Sequence, residues 1–99
     1  MSEKDKMFKV AIVGCGAITA QAHLPAACAL PNVEPTVLID PDEGRARELA
    51  DQWGVANVAK DYREIGVECD AAIIATPHHI HAEPAIHLLR KGLHVLVEK

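Results

Sequence analysis

Residues 13 to 19 read VGCGAIT: Gly14 and Gly16 stand one residue apart at the end of an apolar run, with Thr19 three residues further on. Two glycines in that spacing let a strand turn sharply into a helix. Gly14 sits where the chain reverses, and Gly16 where a side chain would keep the backbone away from a pyrophosphate. The amides that open the following helix, with roughly half a positive charge, would complete a seat for an anion. Thr19 occupies the place of a third glycine, and its side chain is expected to push helix and strand slightly apart without touching the phosphate role. The competing reading is a tight turn whose glycines serve backbone geometry alone.

Asp40 favours the first reading. It ends a second apolar run just over twenty residues past the glycines, where a carboxylate accepts hydrogen bonds from the ribose hydroxyls of a dinucleotide. It is also placed to cap the helix that starts in PDEG. A carboxylate there meets like charge in the 2′-phosphate of NADP, so NAD is the favoured cofactor and NADP the alternative. Arg45, one helical turn on, either screens that phosphate or lies in solvent.

The stretch ATPHHIH places Thr76 and Pro77 at the end of another apolar run. The proline forces an extended turn and aims the following loop across the crevice, toward the nicotinamide half of a bound cofactor. His78, His79 and His81 invite a metal, but there is no HExxH spacing and no neighbouring thiolate pair. Loop packing, helix capping or hydrogen bonds to a cofactor suit these histidines better, and no metal is expected. His87 and His94 read as surface or partly packed residues. Glu98 and Lys99 follow the alternating LHVLV run, at the carboxyl end of its strand beside the same crevice, or simply form a polar strand end.

These residues need a frame that brings several strand ends together. FKVAIVG (8 to 14), VEPTVLID (33 to 40), ANVA (56 to 59), DAAIIAT (70 to 76) and LHVLVEK (93 to 99) read as five strands, the third weakly. Between them, residues 17 to 30 read as a helix that Pro25 splits into one turn and a short second helix from near His23. Residues 41 to 54 form a helix with Ala46, Leu49, Ala50 and Trp53 inward and Gly54 as its stop, and Asp61 caps a single turn. Residues 81 to 92 form a helix with Pro84 in its first turn and Ala82, Ala85, Ile86 and Leu89 as the predicted buried face. Strands alternating with helices through short turns imply an α/β, Rossmann-type doubly wound parallel sheet of five strands in the order 3-2-1-4-5. The ligand crevice then lies outside the carboxyl ends of strands 1 and 4.

The totals narrow the partners. Ninety-nine residues make one domain: a polar tail at 1 to 7 and a folded unit at 8 to 99. A net charge of -4 without any basic block argues against nucleic acid, and no apolar run suits a membrane span or a signal peptide. Three cysteines without metal-ligand spacing fit thiols in a reducing compartment, so the cytoplasm is expected.

Together these residues resemble the Gfo/Idh/MocA oxidoreductases, the glucose-fructose oxidoreductase and inositol dehydrogenase family, from about Lys9 to Lys99. The resemblance rests on VGCGAIT followed by HLPA, then LIDPD, ATPHHIHAEPA and GLHVLVEK, the last two being the most specific. It implies pyrophosphate contact at Gly14, Gly16, Ala17 and Ile18 and ribose contact at Asp40. It further implies that Thr76, Pro77, His78 and His81 border the nicotinamide, that Glu98 lies near the nicotinamide ribose, and that Lys99 is the catalytic lysine. The implied parent is an NAD(P)-dependent dehydrogenase acting on a hydroxyl-bearing carbon of a sugar, cyclitol or related small molecule. This chain would be its dinucleotide-binding domain, truncated before the second, substrate-binding domain, and is expected to bind cofactor without turning over substrate: an exposed lysine is almost fully protonated at neutral pH and a poor base by itself. An uncovered strand edge leads us to expect a homo-oligomer. A non-catalytic NAD-sensing module is the alternative; a methyltransferase-like domain leaves the TPxxxH and EK motifs without a role.

Overall fold

The computed structural model describes residues 7–16, 19–65, 69–76 and 82–97. In chain order they form β1 (Phe8–Val13), a π-helical turn (Thr19–His23), α1 (Leu24–Ala29), β2 (Val33–Ile39), α2 (Glu43–Trp53) and β3 (Asn57–Ala59). A 3-10 turn (Tyr62–Glu64), β4 (Ala71–Ile74), α3 (Ala82–Arg90) and β5 (His94–Val97) follow. The strands make one sheet in the order β3-β2-β1-β4-β5, and every pairing is parallel. This is the predicted doubly wound arrangement, and β1 lies at its centre.

Alternation along β1 divides the core into two layers. Val10 and Ile12 pack with Leu24 of α1 and with Ala46, Leu49 and Ala50 of α2, while Ala11 and Val13 pack with Leu88 of α3 and with Ile65 and Leu93. A run buried on both faces is the form a central parallel strand takes, and it explains why β1 shows no polar alternation. The β1–β2 register slips once: Val10 pairs with Pro35 and Ala11 with Val37, passing over Thr36. Pro35 has no N–H to give the ladder, and β3 joins β2 only from Val37 onward, so the irregularity falls where the sheet tolerates it.

Local signals explain the helices. The Asp42 carboxylate accepts from the Arg45 N–H at 3.1 Å to start α2, and Gly54, at φ 72°, stops it in a left-handed cap whose N–H reaches Ala50 O. Ala46, Leu49 and Ala50 are buried as the periodicity predicts, with Trp53 packed beside them. Pro25 lies in the first turn of α1 and lacks the N–H that would bond one turn back, so the preceding turn widens to π geometry instead of continuing regularly.

The face of α3 differs from the prediction. Pro84 and Leu88 are its buried residues, whereas Ala82 is exposed and Ile86 and Leu89 are 50% and 56% exposed. Only Ala85 of the expected set packs against the core. Apolar residues occupy more than half the circumference of this helix, so periodicity alone leaves its rotation open. Pro84 and Leu88, four residues apart, and His87 against the Tyr62 ring set that rotation.

Candidate functional site

Gly14 is the joint of three strands. Its N–H donates to Ile39 O at 2.7 Å, continuing the β1–β2 ladder, and Ala75 N–H donates to Val13 O at 2.8 Å, continuing β1–β4. Its φ is 103°, and a Cβ placed there would lie 2.8 Å from the carbonyl carbon and oxygen of Ala75. Glycine is therefore required at 14 by the chain's own packing. Gly16 is different: an added Cβ would meet nothing within 4 Å, and its φ lies outside the left-handed region. Among the described residues nothing demands glycine at 16. The space its missing side chain leaves is an open cradle of the kind a closely approaching phosphate would use.

Thr19 does more than space two elements. It is fully buried, and its hydroxyl donates to Gly14 O at 2.5 Å, so the residue in place of a third glycine ties the helical segment back to the turn. The segment it opens is a π turn running into the six-residue α1, not the longer helix that an anion seat usually draws on.

Asp40 ends β2 and is held by two backbone donors. Its Oδ2 accepts from Cys15 N–H at 2.8 Å and its Oδ1 from Asp42 N–H at 2.8 Å, while its own N–H donates to Ala59 O at 3.1 Å. Asp42, and not Asp40, caps α2. The Asp40 carboxylate instead joins the glycine turn to the β2–α2 connection, and each oxygen keeps a lone pair for a further donor. Beside it, burial and then the charge of Asp40 push the Cys15 thiol up to about 12, against the opposing influence of Arg45. Cys15 is thus a neutral packing residue at physiological pH. Arg45 is exposed on the first turn of α2.

These ends open onto a cleft of about 480 Å³. Val13, Ile39 and Pro41 line it from β1 and β2, Thr76 from the end of β4, residues 60 to 63 from beyond β3, and Ala82, Glu83 and Pro84 from α3. Its volume is in the range of small-molecule sites, and its lining mixes apolar floor with a polar rim. Of the residues singled out in the sequence, Gly14, Gly16, Asp40 and Thr76 converge on this end of the sheet and Arg45 flanks it. Ala17, Ile18, Pro77, His78, His79, His81, Glu98 and Lys99 lie outside the described residues.

The far wall escaped the sequence reading. Tyr62 OH donates to Glu83 Oε1 at 2.6 Å, and Arg63 bridges Glu83 Oε1 at 2.5 Å and Asp61 Oδ2 at 2.8 Å. Bonds from Tyr62 and Arg63 hold the Glu83 carboxyl below the usual range. The Arg63 amide, then its guanidinium, does the same for Asp61. One signal was available: in an all-parallel sheet the residues just past a short third strand must emerge on the ligand edge, and those residues are Lys60, Asp61 and Tyr62.

A doubly wound parallel sheet with a glycine turn at its central strand and an acidic end on the next defines a dinucleotide-binding domain of the Rossmann type. Comparison with known proteins makes this specific. Residues 8–99 match the oxidoreductase family with an NAD-binding Rossmann fold, Gfo/Idh/MocA, and the chain belongs to that family. It is 33% identical over 99 residues to dTDP-3,4-didehydro-2,6-dideoxy-alpha-D-glucose 3-reductase of Streptomyces violaceoruber, covering 99% of this chain and 29% of that protein. It is 33% identical over 95 residues to scyllo-inositol 2-dehydrogenase (NADP(+)) IolU of Bacillus subtilis, covering 94% of this chain and 29% of that one. Among solved structures, GenD2 from gentamicin A biosynthesis in complex with NAD superposes with a TM-score of 0.89 at 29% identity, over 99% of this chain and 28% of the other. The chain thus spans less than a third of the length of these relatives. Among the described residues no helix is long and apolar enough to cross a membrane.

Proposed function

We propose that this chain is the cofactor-binding part of an oxidoreductase that moves hydride between NAD and a hydroxyl-bearing carbon of a sugar or cyclitol. The observation that carries the reading is Gly16: among the described residues none would meet a side chain there, and the space it leaves lies one residue from the Cys15 amide that Asp40 holds. The pyrophosphate sits against the turn at 14 to 18, the adenosine ribose on the free lone pairs of Asp40, and the adenine base in the cleft beside Ile39 and Pro41. Gly14 contributes room and shape there, since its N–H already serves Ile39 O.

NAD is preferred to NADP because the Asp40 carboxylate, pinned by two amides, stands beside the ribose 2′ position, where a 2′-phosphate would meet like charge. Thr76, Pro77, His78 and His81 border the nicotinamide, Glu98 reaches its ribose, and Arg45 stays in solvent at the adenosine end. When bound, the nicotinamide supplies a hydride acceptor or donor at C4. Lys99 holds or takes the substrate hydroxyl proton, once a closed pocket and a cationic ring lower its pKa. The substrate class is supported by the sugar and inositol names of the relatives. The cytoplasm is the compartment that suits an exposed thiol at Cys28. Self-association is supported by edge strand β5, where Leu96 and Val97 stand exposed, and is read by sedimentation across a concentration series.

Calorimetric titration of the 99-residue chain with NAD and NADP tests the reading. Binding is expected with NAD and at least about tenfold weaker with NADP. No heat with either cofactor, on a sample that circular dichroism shows folded, would overturn it. Sugar-dependent NADH formation is not expected from this chain alone.

A further inference from the structure

The far wall of the cleft comes from two elements whose side-chain hydrogen bonds converge on a single oxygen. Tyr62 and Arg63, in the 3-10 turn beyond β3, both donate to Glu83 Oε1 in the first turn of α3. The Arg63 guanidinium also lies 4.9 Å from the centroid of the Tyr62 ring, whose edge meets His87 at 5.4 Å between centroids. The side chains of Arg63 and Glu83 are 55% and 71% exposed, and ion pairs that open to water add little to folding. The three groups do, however, have one geometric effect in common. They fix where an aromatic ring and a planar cation stand at the rim of a cleft floored by Ile39, Pro41 and Pro84.

We propose that Glu83 is a positioning residue of the adenine end of the cofactor cleft, holding Tyr62 and Arg63 as a preformed wall for the purine. The inference rests on the placement of adenosine proposed above. Ordering the ring before binding removes a rotamer cost that the ligand would otherwise meet; Glu83 is the acceptor on which the Tyr62 hydroxyl depends, whereas Arg63 keeps Asp61 Oδ2 as a second acceptor. No contact between Glu83 and the cofactor is needed. Glu83 acts through Tyr62, so its effect disappears when the Tyr62 hydroxyl is absent.

The test uses the whole chain with NAD and with AMP as the ligand that carries only the adenosine half. Glu83→Ala is expected to weaken both by the same factor, about tenfold, with Glu83→Gln recovering most of the loss because it keeps an acceptor oxygen. Tyr62→Phe should weaken AMP similarly, and adding Glu83→Ala to it should bring no further loss. Measurements are made where circular dichroism shows every variant folded. AMP binding equal in Glu83→Ala and the parent, no recovery with Gln, or losses that multiply in the double variant would each overturn the proposal. If the parent chain, folded, binds neither NAD nor AMP, the cofactor reading itself falls and this proposal with it.

Discussion

At Gly14 an added methyl group would press on the Ala75 backbone at 2.8 Å, while at Gly16 it would enter open space. The two substitutions should therefore separate folding from binding. Gly14→Ala is expected to destabilise by about 1–3 kcal/mol through the clash and the positive φ. Gly16→Ala is expected to leave stability unchanged or raise it by about 0.4–1 kcal/mol, yet to weaken NAD by about tenfold or more. Thermal melts paired with calorimetry on both variants check this. Thr19→Val removes the buried hydroxyl and strands Gly14 O, so about 1–3 kcal/mol of stability should go with a smaller change in affinity. Cys15 gives an alkaline signature. Its proton is held to about 12 in the folded chain, whereas an unfolded thiol loses it near 8.5, so stability is complete below that lower value and drains away as pH rises between the two. Cys15→Ala should flatten that limb in a series of melts at rising pH.

Among the elements, the α3 wall carries the acid-side counterpart. Asp61 and Glu83 both titrate below the ordinary carboxylate range in the folded chain, so what they contribute is present above about pH 4 and is lost as pH falls through their lowered values. Arg63→Ala removes their shared cation and should make the acid limb of the melting profile shallower than the parent's. The elements also differ in how readily they are read from residues. β1, β2 and β4 were legible because a run buried on both faces has a composition no turn shares, and Asp40 because it ends such a run. The Gly14, Gly16 and Asp40 cluster was legible for the same reason. The rotation of α3 was not, since Ile86 and Leu89 are as apolar as the residues that the sheet covers. Nor was the meeting of Tyr62 with Glu83, which depends on the chain crossing from β3 over the centre of the sheet to β4. The hydroxyl of Thr19 was visible as a departure from a glycine pattern, but its partner, a carbonyl in the turn itself, emerges only from the folded path of the backbone.

For the whole molecule, the parallel order sends every strand's carboxyl end to one side, so the cleft draws on the junctions after β1, β2, β3 and β4 together. A ligand held by all four recognises the folded chain and not the unfolded one. At a hundred times its dissociation constant, NAD should add about 2.7 kcal/mol, on the order of 10 °C in melting midpoint for a domain of this size. A smaller shift with NADP at equal concentration is the expected mark of the pinned Asp40, and equal shifts would remove the argument for NAD. The same assembly bears on what may be transplanted. Gly14 rests on the backbone of Ala75, far along the chain, and without that neighbour the β4 side of the turn is lost, leaving it to the bonds with Ile39, Asp40 and Thr19 alone. A fragment ending at residue 65 would still spell the glycine spacing and carry Asp40, as would a graft of those residues onto a two-stranded frame. Each would be an inscription on a broken stone: every letter of the motif present, and part of the surface that holds the letters in line gone.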